Sequence, residues 1–144
     1  MGIHFKMGFS LCTVAMMFVG CQPTQQLADP SAAQEQAAFT AYEHLKEGQF
    51  DDFLSQLEPT LQAHFQDNQK VMKKFAASIP KQQYSSKKIL IKQMAEEQGK
   101  SHYKVSYELK YPQNLVQYDV SFDAPNGSEK IRNFNIQVFG ESTK

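Results

Sequence analysis

Between residues 102 and 111 polar and apolar side chains alternate without a break. Tyr103, Val105, Tyr107, Leu109 and Tyr111 are interleaved with His102, Lys104, Ser106, Glu108 and Lys110. Successive side chains of a strand point to opposite faces, so this run predicts a strand with one dry face and one wet face. Such a strand belongs in an antiparallel sheet whose dry face is covered by something else. Val116, Tyr118, Val120 and Phe122 repeat the pattern against Gln117, Asp119 and Ser121, and Phe134, Ile136 and Val138 form the dry row of a last strand. The Ile- and Leu-rich run from Lys88 to Met94 predicts a further strand ahead of these. Pro112-Gln113-Asn114 predicts a turn, and Asn126-Gly127 predicts a tight hairpin between the last two strands. Ile131 is out of phase with Phe134 and Ile136, which predicts a bulge between them.

The cover comes from the first half of the chain, where the period changes. Ala38, Ala41, Tyr42 and Leu45 fall on one helical stripe, with Phe39 on its flank and Gly48 as its stop. Asp29-Pro30 is one start signal for this helix, and Ser31 with Gln34 three residues on is another. A second helix carries Phe50, Phe53, Leu54 and Leu57 and is limited by Pro59, with Leu61 and Phe65 suggesting a further turn. A third, capped by Asp67 or Asn68, carries Val71, Met72, Phe75, Ala76 and Ile79 and ends at Pro80. The expectation is therefore an α+β fold: N-terminal helices packed on a curved antiparallel sheet of about four strands.

The first twenty residues follow a different logic. Met1 to Lys6 carries one cation, Met7 to Val19 is uncharged and apolar, and Gly20 is a small residue just before Cys21. This is the layout of a secretory signal, and its apolar core is shorter than the roughly 20 residues a membrane-spanning helix needs. The run Phe18-Val19-Gly20-Cys21 resembles the cleavage box of bacterial lipoprotein signal peptides. That resemblance implies a signal peptide over 1–20, lipid on the Cys21 thiol, and a polar tether over 21–30 leading to a domain over 31–144. Acyl chains such as palmitate would then hold the protein on a membrane facing the periplasm. In enterobacterial sorting Asp after the cysteine favours the inner membrane; Gln22 stands there instead, which points to the outer membrane. The alternatives are an ordinary secretory signal with an incidental cysteine, or an uncleaved anchor. With Cys12 leaving in the signal and Cys21 acylated, the domain has no thiol for a disulfide, a zinc site or a nucleophile.

Charge excludes another class. The chain has 15 basic and 15 acidic residues, and loss of Lys6 leaves one net negative charge. Nucleic-acid binders need a clustered cationic excess, and Lys73-Lys74 and Lys87-Lys88 are too short to supply it, so no nucleic-acid partner is expected.

Two segments carry a broader resemblance. AYEHLKEGQFDDFLSQLEPTLQAHF (41–65) is similar to the opening of NTF2-like, or cystatin-like, domains, where an amphipathic helix ends at Lys/Glu-Gly and a Phe-Asp-x-Phe/Leu helix follows. EKIRNFNIQVFG (129–140) is similar to their final strand. The chain thus resembles the small envelope lipoproteins and uncharacterised domains of that superfamily. The resemblance implies a cone, with the sheet wrapped around the first helix and a pocket at its wide end.

The candidate residues for such a pocket are Tyr103, Tyr107, Tyr118 and Asp119. The tyrosines, together with Tyr111, share the dry rows of neighbouring strands, where core packing is the ordinary role and a ligand-binding wall the functional one. Asp119 lies on the opposite row and would serve as a base only if that row lined the pocket; otherwise it faces water. Of the histidines, His44 lies on the polar side of the first helix, His64 beside Phe65, and His102 at the start of a strand. None repeats at a ligand spacing, so neither a metal site nor a cofactor is expected. No catalytic residues are assigned.

These features predict a lipid-anchored envelope protein acting as a non-catalytic binding or interaction module, held to the membrane by its anchor. Its expected ligand is a small apolar molecule or an envelope protein. The rival readings are a pocket enzyme of the isomerase or dehydratase kind using Asp119 or a histidine, and a structural part that forms a homodimer through the open face of the sheet.

Overall fold

The computed structural model describes residues 26–140; Cys12, Cys21, the signal segment and residues 22–25 of the tether lie outside them, as do residues 141–144. Four helices precede four strands: α1 (Ala32–Glu47), α2 (Phe50–Ser55), α3 (Pro59–Asp67), α4 (Gln69–Ser78), then β1 (Ser86–Glu97), β2 (Lys100–Lys110), β3 (Asn114–Phe122) and β4 (Asn133–Gly140). The strands form one antiparallel sheet in the order β1-β2-β3-β4. The α+β expectation holds, with one more helix than the three read from the pattern. Pro59 both limits α2 and opens α3, because a residue without an N–H suits the first helical position.

Ser31, not Asp29, caps α1. Its Oγ accepts the Gln34 amide at 3.1 Å, while Gln34 Oε1 accepts the Ser31 amide at 3.1 Å. Asp29 is engaged elsewhere, 2.6 Å from Lys92 Nζ. Gly48 ends the helix in the left-handed region (φ 77°), and the Gln49 amide reaches back to the His44 carbonyl at 2.8 Å. Lys81 joins the ends of two helices, its Nζ donating to the Lys46 carbonyl at 2.6 Å and the Ala76 carbonyl at 3.0 Å.

The core lies between α1 and the dry face of the sheet. Ala38 and Ala41 are fully buried, and the Tyr118 side chain spans the layer between them and the sheet to reach the Ala38 carbonyl. Facing them run the cross-strand rows Tyr107–Tyr118–Ile136, Val105–Val120–Phe134 and Leu109–Val116–Val138. A second centre is aromatic: the rings of Phe53, Phe65 and Phe75 each lie 5.2–5.3 Å from that of Phe134, fastening α2, α3 and α4 to β4. Burying Phe53 and Phe65 contributes about 1.5–3 kcal/mol each, and the half-buried Phe75 contributes less.

The irregular positions differ from those the sequence suggests. The tight hairpin is at Gln98-Gly99, between β1 and β2, with φ of 52° and 73°. Two successive residues with positive φ match the right-handed twist of the flanking strands. Asn126-Gly127 instead sits inside a longer loop between β3 and β4, in which Asp123 Oδ1 accepts the amides of Ala124 and Ser128, both at 2.8 Å. Ile131 is not a bulge. It forms an isolated bridge with Leu57: its amide donates to the Gln56 carbonyl at 3.0 Å and its carbonyl accepts from Glu58 at 2.9 Å. The register shift falls in β1 instead, where Ile89 faces Tyr107 and Ile91 faces Ser106, leaving Leu90 extra. No helix among the described residues is long and apolar enough to cross a membrane.

Candidate functional site

The phenols of the chain gather on one side of the sheet. Tyr103, Tyr107 and Tyr118 are fully or almost fully buried on the face that α1 covers. Tyr118 donates to the Ala38 carbonyl in the middle of α1 at 2.9 Å, and Tyr103 donates to the Ala28 carbonyl at 2.6 Å. Tyr42 and Tyr111 share a hydrogen bond of 2.8 Å. Phe39 packs edge-on against Tyr107, with centroids 4.9 Å apart, and Tyr42 tilts against Tyr118 at 5.1 Å. Tyr107 Oη alone of these hydroxyls is buried with no hydrogen-bond partner among the described residues. Desolvation pushes the hydroxyls of Tyr42, Tyr107 and Tyr118 far above the usual phenol value, and Tyr111 up to about 12, its bond to Tyr42 offsetting part of the effect of burial. They are therefore neutral groups at any physiological pH, able to donate hydrogen bonds but not to serve as bases.

Asp119 is not brought together with the tyrosines. Strand alternation puts it on the other face, opposite Ser106 on one side and Asn135 on the other. There it lies 3.4 Å from Lys104 Nζ and accepts from Gln117 Nε2 at 3.0 Å, largely covered by these longer neighbours. Its surroundings form a polar rank across the sheet, with Ser106, Ser121, Asn133 and Asn135 nearby.

Sequence spacing did not reveal that two of the histidines converge. His64, from α3, and His102, from β2, line one cavity of about 290 Å³ at the end of the sheet, together with Glu58, Glu97, Lys100 and Arg132. The convergence depends on α3 docking beside the β1–β2 hairpin, and nothing local to either histidine signals it. Its charges are mostly matched: Arg132 Nε is 3.0 Å from Glu58, and Glu97 accepts from Asn133 at 2.9 Å. His102 Nδ1 is buried without a partner among the described residues. Among the described residues no group of three or more His, Cys, Asp or Glu side chains is placed to hold a metal ion. The cavity offers hydrogen bonds to a small polar group, without a nucleophile paired to a base. His44 lies apart, its Nδ1 3.7 Å from Asp52, beyond hydrogen-bond reach.

A second depression is apolar. Val71, Phe75, Ile136 and Val138 line a groove of about 430 Å³ between α4 and β4, with Lys74 and Ser78 on its rim.

The start of the described chain is fastened over the same face as the tyrosines. Leu27 packs against the core, and its carbonyl accepts from Lys92 Nζ at 2.7 Å. With Tyr103 on Ala28 and Lys92 on Asp29, residues 27–29 are tied to β1 and β2. Compared with known protein families, curated proteins and solved structures, the chain matches none.

Proposed function

We propose that this chain is a lipid-anchored interaction module of a bacterial envelope, carrying an NTF2-like domain that works through its surface. Cys21 is the attachment point, and the domain faces the periplasm, from the outer membrane rather than the inner. The observation that carries the interaction reading is the state of the interior. The space between α1 and the sheet is filled by interlocking rings, and the ionisable groups within it are phenols that stay protonated. General acid–base chemistry needs a group whose pKa lies near working pH, and these lie far from it. A filled interior of this kind supports a reading in which the domain works through its surface.

The link from Cys21 to Leu27 is short, and even fully extended it spans about 20 Å. A lipidated Cys21 would therefore hold the fastened segment 27–29, and the sheet beneath it, close to the bilayer. Labelling with radioactive palmitate tests the anchor: the wild-type chain takes up label and stays with membranes, and Cys21→Ser does neither. An unmodified sulfur in the mass of the mature polypeptide would refute the anchor. Co-purification of the native protein, with mass spectrometry of what accompanies it, tests the interaction reading separately.

A further inference from the structure

β1 is an edge of the sheet, and among the described residues it pairs with β2 alone. It is twelve residues long and exposes most of them. Leu90, Ile91 and Met94, at 43%, 53% and 45% exposure, make up half of the large apolar side chains left in solvent among the described residues. Edge strands are commonly protected by lysines that repel an incoming strand, and β1 has three. Each of them is neutralised within its own chain: Lys87 by Glu35 at 2.7 Å, Lys88 by Glu108 at 2.9 Å and Lys92 by Asp29 at 2.6 Å. The strand is thus open and partly apolar, and none of its lysines carries an unpaired charge.

Its sequence is also self-complementary. Lys87 and Lys88 stand at one end, Glu96 and Glu97 at the other. In a two-fold pairing every contact occurs twice, residue i on j and j on i. With the axis at Lys92, and Leu90 left extra as it already is against β2, Ile91 of one copy faces Gln93 of the other. Ile89 then faces Met94, Lys88 faces Ala95, Lys87 faces Glu96 and Ser86 faces Glu97. Facing residues must lie on the same side of the sheet, and they do. Lys87, Ile89, Met94 and Glu96 are on the side of α1, opposite Leu109, Tyr107, Tyr103 and Ser101 of β2; Ser86, Lys88, Ala95 and Glu97 are on the other. Without the extra residue at Leu90 this match fails, because the two ends of the strand would be out of phase.

We infer that β1 pairs antiparallel with β1 of a second copy of this chain, joining two four-stranded sheets into one of eight strands. The inference deepens the interaction reading above by naming the partner, and it is independent of the lipid. The geometry nevertheless suits an anchor. The axis passes through Lys92, whose ammonium holds Leu27 and Asp29 on the α1 side. Both copies therefore start beside the axis and on the same side, where two anchors can enter one membrane. The paired lysines at the axis each keep their own Asp29.

The test is co-capture of two differently tagged copies of the full chain in mild detergent, repeated with Cys21→Ser in both copies so that sharing a micelle through lipid is removed. Wild-type copies capture each other in both formats. Glu96→Lys with itself sets like charges together twice, the introduced ammonium of each copy against Lys87 of the other, and captures roughly tenfold less, as does Lys87→Glu with itself. Glu96 makes no ion pair with the described residues of its own chain, so Glu96→Lys keeps the fold, which circular dichroism checks. Mixing Lys87→Glu with Glu96→Lys restores opposite charges at both facing positions and recovers capture, and the same recovery is read in the double variant Lys87→Glu/Glu96→Lys. Paired with itself, that variant faces opposite charges at both positions and recovers capture. Failure of wild-type copies to associate, undiminished capture by Glu96→Lys, or no recovery in the double variant would each overturn the inference. Loss of membrane attachment with capture intact would count against the anchor alone.

Discussion

The side-chain amide of Gln34 donates to the Ala124 carbonyl at 2.9 Å, across 90 residues of chain. The same nitrogen donates to Ser128 at 3.2 Å, while Oε1 completes the cap of α1 with Ser31. One fully buried side chain thus ties the start of the first helix to the loop between the last two strands.

Gln34→Glu keeps the shape and the capping acceptor but sets a carboxylate against two carbonyls. It is expected to destabilise by about 2–4 kcal/mol, since both donors are lost and a charge is buried unpaired. Ser31→Ala, which removes only the cap, costs about 1 kcal/mol. Urea denaturation with an unchanged m-value measures both; equal costs would mean that the link to Ala124 contributes nothing.

The tyrosines give a contrast in sign. Tyr42→Phe leaves the Tyr111 hydroxyl buried without its partner and costs about 1–2 kcal/mol, and Tyr111→Phe does the same in reverse. The double variant costs less than the sum of the two, because neither hydroxyl remains to be satisfied. Tyr107→Phe removes a buried hydroxyl that has no partner among the described residues, so it is neutral or stabilises by up to about 1 kcal/mol. A loss of stability in Tyr107→Phe, read from the same urea midpoints, would show that its hydroxyl is bound after all.

Alkali should unfold the domain in one step. Burial raises the folded-state pKa of Tyr42, Tyr107, Tyr111 and Tyr118 above the unfolded value of 10.0. Below pH 10 both states keep these protons, and the four groups leave stability flat. Above it the unfolded chain ionises while the folded chain does not, so stability falls with rising pH by about 1.4 kcal/mol per unit for each tyrosine. Phenolate absorbance is expected to appear together with the loss of far-ultraviolet circular dichroism. Phenolate signal from these four residues near pH 10 with the fold intact would contradict the burial.

How much of this was legible in the sequence depends on whether a signal was local. The alternation from His102 to Tyr111 identifies a half-wet strand because period two is a property of the strand itself. Gly48 and the Ser31–Gln34 spacing work for the same reason. Asn126-Gly127 misleads because a turn-forming pair does not state how far apart the strands it joins begin. There Ile131 bridges Leu57 instead of extending β4, and no local pattern shows that. Of the residues considered for a pocket, three tyrosines share a face and Asp119 lies on the other, a separation already implied by its phase against Tyr118. The meeting of His64 and His102 is invisible in sequence, since it depends on where α3 docks.

The β1–β2 turn offers a gain rather than a loss. Gln98 holds a φ of 52°, a region where a longer side chain is strained and Asn is tolerated. Gln98→Asn makes the turn Asn-Gly and is expected to stabilise by about 0.5 kcal/mol. Gly99→Ala places a β-carbon at a φ of 73°; nothing lies within 4 Å of it, so the penalty is conformational and not steric. That penalty is about 1 kcal/mol. The pair also bears on the edge strand, because this turn sets the register of β1 against β2. Thermal melts of the two variants should move in opposite directions. Co-capture of tagged copies should be retained in Gln98→Asn, since tightening the native turn leaves the edge of β1 as it was.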